Sequence, residues 1–219
     1  MADLTKKLTK ESQIQARSKI DSKAEILDPI DFSFKDLMHI EEINESTPRL
    51  VNKKAPKKID GKYASLSLKL GYNALKEIPG LYQWCEFSFL YPDQISSLDL
   101  SFNCFSNIPD EILNFQGLKC LYLHGNKINN LMEVEKLKRL KNLTSLTLHG
   151  NPIENLVAFR FFILSRMPNL KTLNFTGISK QDRQTASTWI KSNSKPVTVV
   201  IDENEMKNVK IKKSESDDD

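Results

Sequence analysis

Histidine is the side chain most ready to do chemistry near neutral pH. Two of the three histidines, His124 and His149, stand 25 residues apart, each opening the tripeptide His-Gly-Asn. If both tripeptides end strands of one sheet, strands about 4.8 Å apart would bring the imidazoles close enough to share a metal ion. The same column would continue to Ser101 and Thr176, which are poor metal ligands. The pair is therefore read as two copies of one turn, and neither a metal nor a cofactor is expected. Cys85, Cys104 and Cys120 are odd in number and show no C-x-x-C spacing, so neither a disulfide framework nor a zinc site is indicated. Reduced thiols in a cytosolic chain are the simpler reading. No nucleophile elbow, phosphate loop, dinucleotide fingerprint or H-E-x-x-H string is present, and an enzyme is not expected.

The histidines belong to a longer phrase, L-x-x-L-x-L-x-x-N-x-L. It is plainest at Leu118–Ile128 and Leu143–Ile153, complete at Ile95–Phe105, and degenerate around Leu66, Leu68, Leu70 and Asn73. This is the leucine-rich repeat signature. Asn73, Asn103, Asn126 and Asn151 are spaced by 30, 23 and 25 residues, and the long first interval places extra convex-side length between Glu77 and Gln94. The leucines point inward from a short strand while alternate residues point out. The asparagine amide, with one acceptor and two donors, satisfies backbone groups at the bend that follows. A fifth, altered unit, Leu170–Ile178, has Ile178 in place of the asparagine. The fold expected is an α/β solenoid of about five units, with a short parallel concave β-sheet, a helical or irregular convex side and a C-terminal cap helix.

Projected on that sheet, the outward positions form columns. Lys69, Asp99, Tyr122, Thr147 and Asn174 run down the middle. Lys119, Thr144 and Lys171 lie on one side, and Ser101, His124, His149 and Thr176 on the other. The candidate protein-binding residues on the concave face are Lys69, Asp99, Lys119, Tyr122, His124, Thr147, His149, Lys171 and Asn174. Tyr122, the aromatic of the middle column, is the candidate anchor. Thr147, as an exposed column residue, is expected to tolerate alanine.

The flanks differ in kind. Residues 1–28 form a flexible extension, 29–62 an N-terminal cap segment and basic linker, 63–178 the repeats with their cap, 179–196 a closing helix, and 197–219 a flexible charged tail with phosphorylatable Ser214 and Ser216. Asp31–Leu37 places Phe32 and Phe34 on one face if extended. If a helix starts near Ser33, it is Phe34, Leu37 and Met38 that share a face. The segment is read either as a cap over the first repeat, which is preferred, or as a dock for a partner. Arg49–Lys62 carries six basic residues and one acid, a solvated linker or a contact for an acidic surface. Ser179 and Asp182 make a capping box for the closing helix, through about Ile190. The net charge of +4 is too mild to argue for nucleic acid or an anionic membrane. No apolar run is long enough to span a bilayer and no signal peptide is visible, so a cytoplasmic chain is expected.

Asn151–Leu170 resembles the C-terminal cap of the cytoplasmic short-repeat proteins, the phosphatase-regulating type and the axonemal dynein light chain among them. Phe159, Phe161, Phe162 and Met167 are expected to seal the core there. That cap usually carries an aspartate where this chain has Asn174. More narrowly, Asp99–Asn103, Leu121–Asn126, Ser145–Pro152, Phe175–Ala186 and the upstream Leu27–Phe34 resemble the leucine-rich repeat-containing protein 51 family. The resemblance implies a structural adaptor of the ciliary or flagellar axoneme, with axonemal or microtubule-associated protein partners. A regulatory subunit that holds a phosphatase or dynein through the concave face is one alternative. A ribonucleoprotein component, supported by the basic linker alone, is another, although nucleic acid is not the expected partner.

Overall fold

A computed structural model describes residues 28–192. The expected N-terminal extension, the charged tail with Ser214 and Ser216, and the last turn assigned to the closing segment lie outside the described residues. Six short strands stack in parallel: β1 (Ile30–Asp31), β4 (Ser67–Lys69), β5 (Ser97–Asp99), β6 (Cys120–Tyr122), β7 (Ser145–Thr147) and β8 (Thr172–Leu173). A last strand, β9 (Thr176–Gly177), runs antiparallel to β8. Ile30, Leu68, Leu98, Leu121, Leu146 and Leu173 are in register across the ladder. All are buried, each worth about 1.5–3 kcal/mol relative to exposure.

The asparagines do what their amides suggest. Asn126 Nδ2 donates to Leu100 O and Leu123 O at 3.0 Å each, while its Oδ1 accepts from Phe105 N at 3.2 Å. Asn103 and Asn151 repeat the pattern one unit either way. Each amide thus staples its own repeat to the preceding one. Asn73 reaches Phe32 O and Leu70 O and accepts from Lys35 N and Leu37 N. The unit it staples to is the Asp31–Leu37 segment, which therefore forms a sixth layer of the stack.

That segment lies neither on one extended face nor on one helical face. Phe32 and Leu37 are buried, whereas Phe34 and Met38 are exposed. Left-handed backbone at Phe34 (φ 58°) and Asp36 (φ 56°) breaks both periodicities and turns Phe34 outward. The turn Ile40–Asn44 adds Ile40 and Ile43 to the core, and Arg49 N donates to Asp31 O, covering the edge of β1.

The residues between Glu77 and Gln94 hold α1 (Leu81–Ser88), which buries Leu81 and Cys85, one turn apart, against the stack. Later convex crossings are 3₁₀ turns, Asp110–Asn114, Leu131–Arg139 and Pro152–Asn155. At the far end α2 (Phe159–Arg166) buries Phe159, Ile163 and Leu164, with Met167 just beyond it, while Phe161 and Phe162 are partly buried against the core. α3 (Lys180–Ser192) packs on α2. Its start carries the reciprocal capping bonds, Ser179 N to Asp182 Oδ2 at 2.8 Å and Asp182 N to Ser179 Oγ at 3.1 Å. Arg183 donates to the carbonyls of Leu164 (2.5 Å), Met167 (2.9 Å) and Leu170. Those orphan carbonyls around the end of α2 are thereby satisfied. No sequence pattern marks Arg183 for that part, because its partners lie 13 to 19 residues upstream.

Residues 49–62 form two successive tight hairpins. Val51 bridges Lys54 across left-handed Asn52 and Lys53, and β2 (Lys58–Ile59) pairs with β3 (Lys62–Tyr63) across left-handed Asp60 and Gly61. Two central residues with positive φ are what a type I′ turn requires.

Candidate protein-binding face

The concave face divides into an open half and a covered half. Over β1, β4 and β5 the outward residues are Asp31, Lys69 and Asp99, all partly exposed. Asp99 Oδ1 is turned back to accept from Ser101 N at 2.9 Å and Ser101 Oγ at 2.6 Å. Ser101 is buried and does not stand in the exposed column assigned to it.

Over β6 to β8 the face is closed by the chain itself. Asn174 (φ 52°) and Phe175 (φ 62°) form the turn of the β8–β9 hairpin. This reverses the chain where a fifth repeat would have continued. Asn174 is consequently not an outward column residue: its Oδ1 accepts from Leu148 N at 2.7 Å and His149 N at 3.1 Å and terminates the sheet. The acceptor that terminates the sheet is thus a neutral amide oxygen. Phe175 is 65% exposed and lies over Tyr122, His124 and His149, with ring centroids 6.0, 5.7 and 5.6 Å away.

Thr147 sits under this cluster, 0% exposed, with its hydroxyl 2.8 Å from His124 Nδ1. The expectation that Thr147 faces solvent and tolerates alanine is therefore corrected; its position alternates outward, but Phe175 and the histidines roof it over. Tyr122 remains partly exposed at the border of the two halves, and burial raises its phenol pKa, helped by Cys120 and Asp99. Lys119 and Lys171 are exposed on the flanking column.

His124 and His149 do stack, with centroids 4.6 Å apart and planes within 10°. Nitrogen lone pairs lie in the ring planes, and two nearly parallel planes 4.6 Å apart cannot aim them at one ion. Among the described residues no group of three or more His, Cys, Asp or Glu is placed to hold a metal. Burial, then the neighbouring His149, lowers the pKa of His124, with Asp99 opposing. Burial also pushes the Cys85 thiol up and away from reactivity.

Sequence reasoning missed a second feature, one residue before each ladder asparagine and, in the N-terminal layer that lacks one, at Phe34 before Lys35. Phe34, Tyr72 and Phe102 occupy left-handed backbone (φ 58°, 56° and 51°) and stack in a row at 4.3 Å and 4.3 Å. They remain 57%, 46% and 41% exposed. The same place in the next two repeats is Gly125 and Gly150, at φ 69° each. A Cβ on Gly125 would lie 2.6 Å from the Phe102 ring. The signal was available as Phe-Asn or Tyr-Asn against Gly-Asn, but it has no meaning until the backbone is known to be left-handed there.

A leucine-rich repeat family model matches residues 86–200. Leucine-rich repeat-containing protein 51 of Rattus norvegicus is 38% identical over 173 residues, covering 79% of this chain and 90% of the relative. The Homo sapiens protein is 35% identical over 168 residues, covering 77% and 88%. The chain belongs to the leucine-rich repeat-containing protein 51 family. The solved Drosophila melanogaster SNF/U2A′ complex contains a chain with the same fold, at TM-score 0.52 and 20% identity over 73% of this chain and 90% of that one. Membership in the leucine-rich repeat-containing protein 51 family makes this a protein–protein interaction module, of a repeat class that is in general non-catalytic. No helix among the described residues is long and apolar enough to cross a membrane.

Proposed function

We propose that the chain is a structural adaptor of the ciliary or flagellar axoneme that holds other axonemal or microtubule-associated proteins through the open half of its concave face. The observation that carries the binding face is the asymmetry of the sheet. β6 to β8 are roofed by Phe175 and the histidine stack, whereas Lys69, Asp99 and the edge of Tyr122 stay accessible beside them. Family membership supports the axonemal placing, since the leucine-rich repeat-containing protein 51 family is associated with cilia and flagella. Both ends of the solenoid are covered by the chain's own segments, so it can serve as a discrete spacer rather than polymerise through exposed leucines.

The test is fractionation of ciliated cells that carry the tagged chain. Retention with detergent-extracted axonemes, lost on Lys69→Glu plus Tyr122→Ala, is the expected result. A chain found wholly in the soluble fraction, or bound to a phosphatase catalytic subunit instead, would replace this reading.

A further inference from the structure

Two surface features meet at Arg49. Its guanidinium lies 5.0 Å from the centroid of the Phe34 ring, the outer member of the Phe34–Tyr72–Phe102 stack. The same residue begins the double hairpin that carries Lys53, Lys54, Lys57, Lys58 and Lys62 against the single acid Asp60. The hairpins are fastened to the solenoid. Ala64 N donates to Lys57 O, Leu90 N to Tyr63 O and Lys62 Nζ to Glu86 O, and Tyr63 packs edge-on against Phe89. The lysines are therefore pre-organised on a built arm, which reduces what a partner must order on binding.

The stack has an unusual cost. Bulky residues at positive φ are rare because they strain the backbone, yet here three in register adopt it and leave their rings at the surface. Glycine fills the same backbone place at 125 and 150 without strain. Covering the core does not require these rings, since Phe32, Leu70 and Leu100 already fill it beneath them.

We propose that the arm and the aromatic stack together dock an acidic polypeptide segment of a partner, its carboxylates on Arg49 and the lysines and its apolar side chains along the ring edges. Charge complementarity selects this occupant. The arm is basic, and stacked rings present their edges, the positive part of the aromatic quadrupole, to oxygen acceptors. Nucleic acid is disfavoured by the geometry. Tyr72 has both faces covered, Phe34 is covered by Tyr72 and Arg49, and Phe102 lies against Tyr72 and over Gly125. No ring face stays open for a base to stack upon. Lysine, a point charge, also outnumbers the arginine whose fork matches phosphate. The inference rests on the protein-binding reading of the chain but not on its place in the cilium, so peptide binding and axonemal retention can fail separately.

The test is fluorescence anisotropy with a labelled peptide of alternating glutamate and leucine. A lysine–leucine peptide and a single-stranded oligonucleotide of equal length serve as controls. Wild type should bind the acidic peptide in preference to both controls, more weakly as salt rises. Lys53→Glu plus Lys54→Glu, and separately Phe34→Gly plus Tyr72→Gly, should each weaken binding roughly tenfold. The glycine pair relieves left-handed strain and should melt as wild type does; if it fails to fold, Phe34→Asn plus Tyr72→Asn takes its place, since asparagine also tolerates this backbone. Undiminished binding by a folded stack variant overturns the proposal, as does tighter binding of the oligonucleotide. Binding that appears only after residues 213–219 are deleted overturns it in favour of the chain's own acidic end as occupant.

Discussion

The two ends of the sheet solve one backbone problem in opposite ways. On leaving the strand, one residue before the ladder asparagine or before Lys35 in its place, the chain passes through left-handed backbone. In the N-terminal half, Phe34, Tyr72 and Phe102 do so with large exposed rings; in the C-terminal half, Gly125 and Gly150 do so with none. Without side chains there, the Phe102 ring can lie over Gly125, and His149 can stack on His124 under Phe175. The half with strained rings is open and the half with glycines is sealed. The repeat phrase thus fixes the scaffold, and the residue before the asparagine decides whether a repeat presents a surface or closes one.

The contrast can be broken hardest through what both halves share. Asn126→Ala leaves Phe105 N without its amide acceptor and takes one of two amide donors from Leu100 O and from Leu123 O, which keep Asn103 Nδ2 and Asn151 Nδ2. It should cost about 3 kcal/mol in urea unfolding, since the orphaned donor costs about 1–3 kcal/mol and each lost carbonyl bond about 0.5–1.5 kcal/mol. If the variant unfolds at the wild-type urea midpoint, the stapling role of the amide is wrong.

Gly125→Ala attacks the junction of the halves. Strained φ and the collision with Phe102 together should cost about 2 kcal/mol. Adding Phe102→Gly should restore part of it in a double-mutant cycle, whereas strictly additive losses would mean that the ring does not cover Gly125.

Thr147→Val probes the sealed half alone. Losing the hydroxyl beside His124 Nδ1 should cost about 1 kcal/mol, and a silent substitution would return Thr147 to the solvent-facing column.

The smallest effect is one of pH. The folded state holds the His124 pKa below the ordinary histidine value, so the unfolded chain binds its proton more readily. Stability from this group is complete above about pH 6.5 and is lost as pH falls through the lowered folded-state pKa. Thermal melts of wild type should therefore drop faster below pH 6.5 than those of His124→Phe, and parallel curves would remove His124 as the cause.

Much of the frame was legible in the order of residues. The leucine period, the four asparagines and the Ser179–Asp182 capping pair each act through neighbours at fixed spacing, so their partners follow from the phrase itself. The candidate face was less legible. Lys69, Asp99 and Tyr122 keep partial exposure, but Thr147 and Ser101 obey the outward alternation and are nevertheless buried. What buries Thr147 is the reversal at Asn174 and Phe175, which brings Phe175 back over Tyr122 and His149, on strands formed much earlier in the chain.

The sequence by itself determined the solenoid, its staples and its helical cap, because those rest on local periodicity and on amides that bond to adjacent layers. Only the tertiary structure decided which half of the sheet is open, that residues 49–62 are a fastened basic arm, that Phe34, Tyr72 and Phe102 form one stack, and that Arg183 closes the carbonyls around the end of α2. Those outcomes depend on left-handed turns and on contacts between residues far apart in the chain, and alternation of apolar and polar residues encodes neither.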